Sequence, residues 1–211
     1  MIKNIIFDLG GVIIDLDYYR TLQAFSNLGA LEFDKVFTLS KQDHILDQYD
    51  TGKISSAEFR SALMQKLNIT LSDAEFDSAW NAMLVGIPQA RLDFLKNLKE
   101  KYKLILFSNT NAIHLKEVLN ICKRQNGLNS FGNHFHKEYY SHILGRRKPD
   151  PEAFKTILLE NNLNANETLF VDDLLQNILS AREVGLYALY FTPDKTLADI
   201  SKFITTIDNG N

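Results

Sequence analysis

Four short runs of apolar residues constrain the fold of this chain more than any other feature. They cover residues 4–7, 103–107, 168–171 and 187–191, and each is rich in Ile, Val, Leu, Phe or Tyr. None shows the alternation of apolar and polar residues that a half-exposed strand has. Strands of this kind are buried on both faces, as in a parallel sheet. Helical stretches separate the later runs, so we predict a doubly wound parallel α/β sheet.

The predicted helices between these strands have recognisable starts and stops. Pro88 opens one helical stretch, and Asp150 with Pro151 places a cap and a first-turn proline before another. Gly185 is the predicted C-cap of the helix that follows the third strand. Proline is favoured in the first turn of a helix and glycine just after its last turn, so these residues set the approximate bounds of the helices.

The segment 17–86 departs from the alternation of strand and helix. It contains only helical patterns, and two of its helices begin with capping boxes, Ser55 with Glu58 and Ser72 with Glu75. Because this segment follows the first strand directly, it reads as an insertion over the sheet. We therefore predict an all-helical cap domain over residues 17–86 and an α/β core formed by residues 1–16 and 87–211.

Composition limits the partners and the location of the chain. The 211 residues are 45% hydrophobic, which is enough for a full core, and the net charge of −3 lacks the basic excess of nucleic-acid-binding proteins. No apolar run approaches the ~20 residues of a membrane span. We expect neither nucleic acid nor a membrane as partner. A single cysteine and an N-terminus without signal-peptide features favour a cytoplasmic location.

Side chains with oxygen atoms follow three of the predicted strands. Asp8 follows the first strand, Ser108 and Asn109 follow the second, and Asp172 and Asp173 follow the third. Ligands of open parallel sheets bind at the carboxyl ends of the strands, so we expect these side chains to face one crevice. Converging carboxylates raise each other's pKa unless a cation offsets their charge. Oxygen ligands without cysteine or paired histidine favour Mg²⁺.

A lysine could bring a positive charge to the same crevice. Lys148 belongs to the string GRRKPDPEAF, which forms a loop before a capped helix. Mg²⁺ usually works beside phosphate oxygens, and a lysine ammonium binds phosphate as a point charge. The combination predicts phosphoryl chemistry.

Four strings, in order along the chain, carry a family resemblance. FDLGGVIID, LFSNTN, GRRKPDPEAF and FVDDLLQNI resemble the four motifs of the haloacid dehalogenase-like hydrolase superfamily, and the helical insertion resembles its cap. The first two strings are most similar to a branch that contains bacterial α-glucose-1-phosphate phosphatases. The resemblance spans almost the whole chain and implies a Mg²⁺-dependent phosphatase acting on a small phosphorylated metabolite, in particular a sugar phosphate.

The resemblance also implies roles for single residues in catalysis. Asp8 would be the nucleophile that attacks phosphorus and forms an aspartyl-phosphate, which water then hydrolyses. Ser108 and Asn109, with the backbone N–H groups beside Ser108, would bind the phosphoryl oxygens. Lys148 would also contact the phosphate, offset the charge that develops during transfer and orient Asp8.

The metal ligands implied by the resemblance come from two of the motifs. Asp8, the main-chain carbonyl of Gly10 and Asp173 would hold Mg²⁺, and Asp172 would be a direct or water-mediated ligand. Asn177 lies four residues after Asp173, on the same face of the following helix, and would support the site from behind.

Gly10 departs from the pattern of the superfamily. Most of its phosphatases have a second aspartate at this position, which protonates the leaving oxygen, and such acid–base help is worth about 10²- to 10⁴-fold. Three accounts stay open: a leaving group that needs little protonation, another side chain as the acid, or weak catalysis. Asp15 and Asp17 lie just beyond the first strand and could replace the acid, and His114 could approach the substrate.

Two other functions compete with the phosphatase hypothesis. In a haloacid dehalogenase the same Asp8 would attack carbon without a metal, but Asp172 and Asp173 would then have no evident task. A non-catalytic pseudo-phosphatase would bind a phosphorylated ligand or a protein, and Gly10 is the best support for it. The sequence indicates neither the identity of the substrate nor the oligomeric state.

Overall fold

The structure is a computed structural model that describes residues 1–36 and 44–210. Within these residues the main sheet has five parallel strands in the order β5-β4-β1-β6-β7, and a two-stranded antiparallel sheet joins β2 to β3. The strands, numbered along the chain, are β1 (Asn4–Phe7), β2 (Asp15–Leu16), β3 (Leu84–Gly86), β4 (Lys103–Ser108), β5 (Lys137–Tyr140), β6 (Thr168–Asp172) and β7 (Tyr187–Tyr190).

Helices cover both faces of the main sheet, which confirms the predicted α/β class. None of the helices in the described ranges combines the length and the apolar character needed to cross a bilayer. In chain order the helices are α1 (Tyr18–Asn27), α2 (Phe33–Val36), α3 (His44–Asp50), α4 (Ser56–Leu67), α5 (Asp73–Asn81), α6 (Gln89–Lys99), α7 (Ala112–Asn126), α8 (Ser141–Leu144), α9 (Pro151–Glu160), α10 (Leu175–Glu183) and α11 (Leu197–Asp208).

Burial on both faces explains why the strand sequences are continuously apolar. In β1, Ile5 and Phe7 belong to the hydrophobic cluster formed with α6, α7 and α11, whereas Ile6 belongs to the cluster formed with α9 and α10. All three side chains are fully buried. Because burial of each such side chain contributes roughly 1.5–3 kcal/mol, both faces of the strand stabilise the fold.

The start of α9 is as predicted, and the end of α10 differs by one residue. Asp150 caps α9 by accepting a hydrogen bond from the N–H of Glu152, and Pro151 is the first helical residue. At the end of α10 the C-cap is Val184, and Gly185 follows it with a positive φ of +92°. A glycine one position beyond the cap still allows the chain to turn back toward β7.

Strand β5 lies at one edge of the sheet and has no clear signal in the sequence. Its first two residues are charged and its last two are aromatic, and Lys137 is exposed while Tyr139 and Tyr140 are buried. An edge strand needs only part of its surface to be apolar, so the rule based on continuous apolar runs does not detect it.

The helices α1–α5 pack around an aromatic cluster of their own, which includes Phe25, Phe59, Phe76 and Trp80. Both predicted capping boxes are present, at the starts of α4 and α5. The segment is not entirely helical, however, because β3 lies within residues 17–86 and pairs with β2. Strands of two or three residues are too short to produce a periodic pattern. The boundaries of the cap and core domains stay a prediction.

Candidate active site

The carboxyl ends of β1, β4 and β6 meet at one edge of the main sheet. Asp8 follows β1 directly, Ser108 is the last residue of β4, and Asp172 is the last residue of β6. A cavity of about 690 Å³ opens at this edge, beneath the helices α1, α3 and α5. Its wall includes Asp8, Ser108, Lys148 and Asp173 from the sheet side, and Tyr18, Asp50 and Trp80 from the helices above.

Three carboxylates converge at the floor of this cavity. Asp8, Asp172 and Asp173 each offer an oxygen atom that lies within 4.8 Å of the others. Asp8 and Asp172 are buried, and Asp173 is partly exposed to the cavity. The structure therefore brings together the acidic residues that the sequence places after β1 and β6.

Lys148 reaches the carboxylates from the loop before α9. Its Nζ donates hydrogen bonds to Asp8 Oδ1 at 2.6 Å, to Asp172 Oδ2 at 2.7 Å and to the carbonyl oxygen of Phe107 at 2.9 Å. Only 1% of the side chain is exposed. An ammonium group has three donors, and all three are used here, which compensates for removing the charge from water.

One lysine does not balance three carboxylates. Burial raises the pKa of Asp8 to about 7, and the charges of Asp172 and Asp173 add to this effect although Lys148 opposes it. Burial and the charge of Asp172 likewise raise the pKa of Asp173 to about 6. The protein without a cation therefore carries excess negative charge at this point, which is the condition under which a divalent cation is attracted.

Asp172 is held more firmly than the other two carboxylates. Besides Lys148, it accepts hydrogen bonds from the N–H of Leu174 at 2.8 Å and from Asn177 Nδ2 at 3.0 and 3.1 Å. It does not line the cavity, whereas Asp173 does. Asn177 Oδ1 is buried and has no hydrogen-bond donor among the described residues. Asn177 is predicted to support the site, and in the structure its amide donates to Asp172 and so orients that carboxylate.

Gly11 allows Asp173 to approach the loop after β1. Its φ is +66°, and a Cβ atom at this position would overlap Asp173 Oδ2 and lie 2.7 Å from Asp173 Cγ. Gly11 is not among the site residues predicted from the sequence, although two adjacent glycines indicate a close approach of the backbone. The absence of a side chain at Gly11 leaves room for a carboxylate that faces the cavity.

Gly10 lines the cavity beside Asp8, and the space next to it is partly filled. A Cβ atom at position 10 would lie 2.7 Å from Leu16 Cδ1 and 3.8 Å from Asp8 Oδ2. The side chain of Leu16 thus occupies the position from which an acid at residue 10 would extend. Gly10 therefore lacks the acid of the superfamily pattern and has the apolar side chain of Leu16 beside it.

The two aspartates considered as substitute acids have other partners. Asp15 forms an ion pair with Arg91 at 2.7 Å. Asp17 caps α1 by accepting from the N–H of Tyr19, and it pairs with Arg20 at 3.1 Å. Neither aspartate is among the described residues that line the cavity. In this structure both aspartates instead form ion pairs from the segment that connects β1 to α1.

Asn109 holds the backbone of the lysine loop. Its Nδ2 donates to the carbonyl oxygen of Lys148 at 2.8 Å, and its Oδ1 accepts from the N–H of Lys148 at 2.9 Å. Both polar atoms of the side chain are therefore engaged. Ser108 and Asn109, the two residues predicted to bind phosphate beside Lys148, both line the cavity, but the side chain of Asn109 also positions Lys148. The direction of the Asn109 amide could not be read from sequence.

His114 lies at the cavity wall in a fixed tautomer. Its Nε2 lies 3.0 Å from the carbonyl oxygen of Trp80, which can only accept, so Nε2 carries the hydrogen. Its Nδ1 then accepts from Asn111 Nδ2 at 3.4 Å, and its ring stacks on Trp80 at 4.9 Å. Burial lowers the pKa of His114 to about 4. The imidazole is neutral at pH 7, and both of its nitrogen atoms have partners.

Comparison with known proteins assigns the chain to a family. The model of the haloacid dehalogenase-like hydrolase family matches residues 2–185. A D-ribitol-5-phosphate phosphatase from Bacteroides thetaiotaomicron is 34% identical over 209 residues, which cover 99% of this chain and all of that protein.

Solved structures show the same relationship. A wild-type HAD family enzyme from Bacteroides thetaiotaomicron, in complex with magnesium and inorganic phosphate, is 37% identical with a TM-score of 0.83, covering 92% of this chain and 95% of that chain. A predicted HAD-like family hydrolase from Porphyromonas gingivalis is 27% identical with a TM-score of 0.87, covering 97% and 98%. The chain therefore belongs to the haloacid dehalogenase-like hydrolase family, which confirms the resemblance carried by its four motifs.

Proposed function

We propose that this protein is a Mg²⁺-dependent phosphatase that hydrolyses a small sugar or polyol phosphate through an aspartyl-phosphate on Asp8. The observation that carries the proposal is the convergence of Asp8, Asp172 and Asp173 within 4.8 Å, beside the buried ammonium of Lys148. The phosphatase named for D-ribitol 5-phosphate, which is similar over its whole length, supports the reaction class and the kind of substrate.

The proposed reaction begins with attack by Asp8 on phosphorus. Lys148 holds Oδ1 of this carboxylate, which leaves Oδ2 available to form the new O–P bond. The bond from phosphorus to the leaving oxygen breaks, and that oxygen takes a proton from water to become the alcohol. Water then attacks the phosphorus of the aspartyl-phosphate, releases inorganic phosphate and regenerates Asp8. Ser108 and the adjacent backbone N–H groups would bind the phosphoryl oxygens, and Lys148 would offset their charge.

The residues present suit a magnesium ion. Asp8, the main-chain carbonyl of Gly10 and Asp173 would hold the ion. Asp172, which does not line the cavity, would lie behind these ligands. The donors are all oxygen atoms, Gly11 leaves the space beside Asp173 open, and the excess negative charge favours a hard cation. When bound there, Mg²⁺ would neutralise charge on the phosphoryl group during transfer. The magnesium and phosphate bound by the similar HAD enzyme support this assignment.

Asp8→Asn tests the nucleophile assignment. Hydrolysis of p-nitrophenyl phosphate and of ribitol 5-phosphate, measured with Mg²⁺, should fall by about 10³-fold or more, because a neutral amide is a poor nucleophile. Asp93→Asn is a suitable control, since Asp93 is an exposed carboxylate on α6 that accepts a hydrogen bond from Gln89. Undiminished turnover by Asp8→Asn would refute the proposed intermediate, and chloride release from 2-chloropropionate in chelator would favour the dehalogenase alternative.

A further inference from the structure

Another carboxylate lines the cavity, on the side opposite the sheet. Asp50 is the last residue of α3, and the proposed phosphoryl chemistry does not use it. Its Oδ1 accepts a hydrogen bond from Asn111 Nδ2 at 3.1 Å, and this is the one side-chain hydrogen bond that Asp50 makes within residues 1–36 and 44–210. A carboxylate has about four acceptor sites, so most of the acceptor capacity of Asp50 is unused.

The orientation of Asp50 is fixed by the core rather than by its own helix. Asn111 caps α7, and its Oδ1 accepts from the N–H of His114 at 3.0 Å and lies 3.5 Å from Trp80 Nε1. Since Oδ1 receives these donors, the NH₂ group of Asn111 must point to Asp50. The carboxylate is thus held at the cavity wall before any ligand binds, which is the preorganisation that selective binding requires.

Asp47, one turn earlier on α3, is a second carboxylate of the cavity wall, and its charge is neutralised. It forms an ion pair with Arg147, with Nη1 and Oδ1 at 3.0 Å. No comparable ion pair with Asp50 occurs in the described part of the chain. Two carboxylates of one helix therefore line the same cavity. In the described part of the chain Asp47 forms an ion pair, whereas Asp50 has one hydrogen bond at Oδ1 and keeps Oδ2 available for a ligand.

We propose that Asp50 accepts hydrogen bonds from hydroxyl groups of the leaving alcohol and so selects polyhydroxylated phosphates. An ionised carboxylate binds hydroxyl donors well, gains nothing from an alkyl chain and repels a second anionic group. Asp50 would accordingly favour a polyol phosphate over an alkyl phosphate or a phosphorylated acid. This inference rests on the proposed phosphatase function and assigns to Asp50 the choice of substrate, not the chemical step.

The test compares two esters that differ only in hydroxyl groups, ribitol 5-phosphate and 1-pentyl phosphate. Asp50→Asn keeps an oxygen for Asn111 but replaces the other oxygen by an NH₂ group, which cannot accept from a hydroxyl. The kcat/KM for ribitol 5-phosphate should fall about 10- to 100-fold, mainly through KM, the range expected when hydrogen bonds to a charged group are lost. The kcat/KM for pentyl phosphate should stay within about 2-fold, which also shows that the variant is folded.

Asp47→Asn is the matched control on the same helix. Removing its ion pair with Arg147 should change kcat/KM for the two esters by the same factor. The inference is overturned if Asp50→Asn also changes both by the same factor, or if the wild-type protein does not prefer ribitol 5-phosphate to pentyl phosphate. Absence of any Asp8-dependent turnover, including that of p-nitrophenyl phosphate, would instead overturn the proposed function and this inference with it.

Discussion

Gly10 and Gly11 are neighbours in the loop after β1, and each lacks a side chain for a different reason. A side chain at Gly11 would occupy the place of the Asp173 carboxylate, whereas one at Gly10 would meet Leu16. Gly11 also has a φ of +66°, a backbone conformation that residues with a side chain rarely adopt. The missing side chain at Gly11 thus leaves the space that the Asp173 carboxylate occupies.

Gly11→Ala should impair the site far more than the fold. The substitution adds a methyl group against Asp173 and places alanine at positive φ, so we expect kcat/KM for p-nitrophenyl phosphate to fall at least about 10-fold. Gly127→Ala is the control, because Gly127 has nearly the same φ of +69° and has no atom within 4 Å of the added methyl group.

Both glycine variants should lose about 1–2 kcal/mol of unfolding free energy, since both place alanine in the left-handed region. Only Gly11→Ala should lose activity. Equal activity of the two variants, measured beside their urea unfolding curves, would show that the position of Asp173 does not depend on Gly11.

The sequence predicts which residues approach one another at the site better than it predicts their hydrogen bonds. Asp8, Ser108 and Asp173 can be placed because parallel strands bring their carboxyl ends to one edge. The amide of Asn109 and the side chain of Leu16 cannot, because their directions depend on loop conformations that have no periodic pattern.

Helices α3, α5 and α7 connect the cap to the core at the scale of secondary structure. The N–H of Ile113, in the first turn of α7, donates to the Tyr49 hydroxyl of α3 at 3.1 Å. A Cβ atom at Gly52 would overlap the carbonyl oxygen of His142, so the turn after α3 lies directly against the core. These contacts hold α3, and with it Asp50, over the end of the sheet.

The contact between α5 and α7 should make stability depend on pH through His114. Its pKa of about 4 in the folded state lies below the usual 6.5, so the neutral imidazole stabilises the fold above pH 6.5 and this contribution is lost as the pH falls toward 4. We expect up to about 2 kcal/mol of the unfolding free energy to be lost between pH 8 and pH 5 for this reason.

Urea unfolding of the wild type and of His114→Gln at several pH values isolates this effect. Glutamine does not titrate, so the stability of the wild type should fall relative to that of the variant as the pH falls from 8 to 5. Parallel pH profiles for the two proteins would mean that the imidazole is not held in its neutral form by the Trp80 contact.

Whether a strand or helix can be predicted from the sequence depends on how strong its sequence pattern is. Strands buried on both faces, and helices with capping boxes, can be predicted because many residues repeat one signal. The edge strand β5 and the short strands β2 and β3 cannot, because β5 begins with two charged residues and the others have two or three residues.

The whole molecule concentrates negative charge where its two hydrophobic regions meet. The net charge is only −3, yet Asp8, Asp172 and Asp173 place oxygen atoms within 4.8 Å of one another, and Lys148 forms ion pairs with the first two. The apolar clusters of the sheet and of the helices α1–α5 fix the two sides of the cavity. We propose that this acidic centre binds Mg²⁺ for phosphoryl transfer.

The most direct test is phosphate release from ribitol 5-phosphate after chelation, followed by titration with MgCl₂. The wild-type protein should lose its activity in EDTA and regain it with Mg²⁺, and Asp173→Asn should need at least about 10-fold more Mg²⁺ for half-maximal rate. Full activity of the wild type in EDTA, or the same Mg²⁺ requirement in Asp173→Asn, would contradict the account.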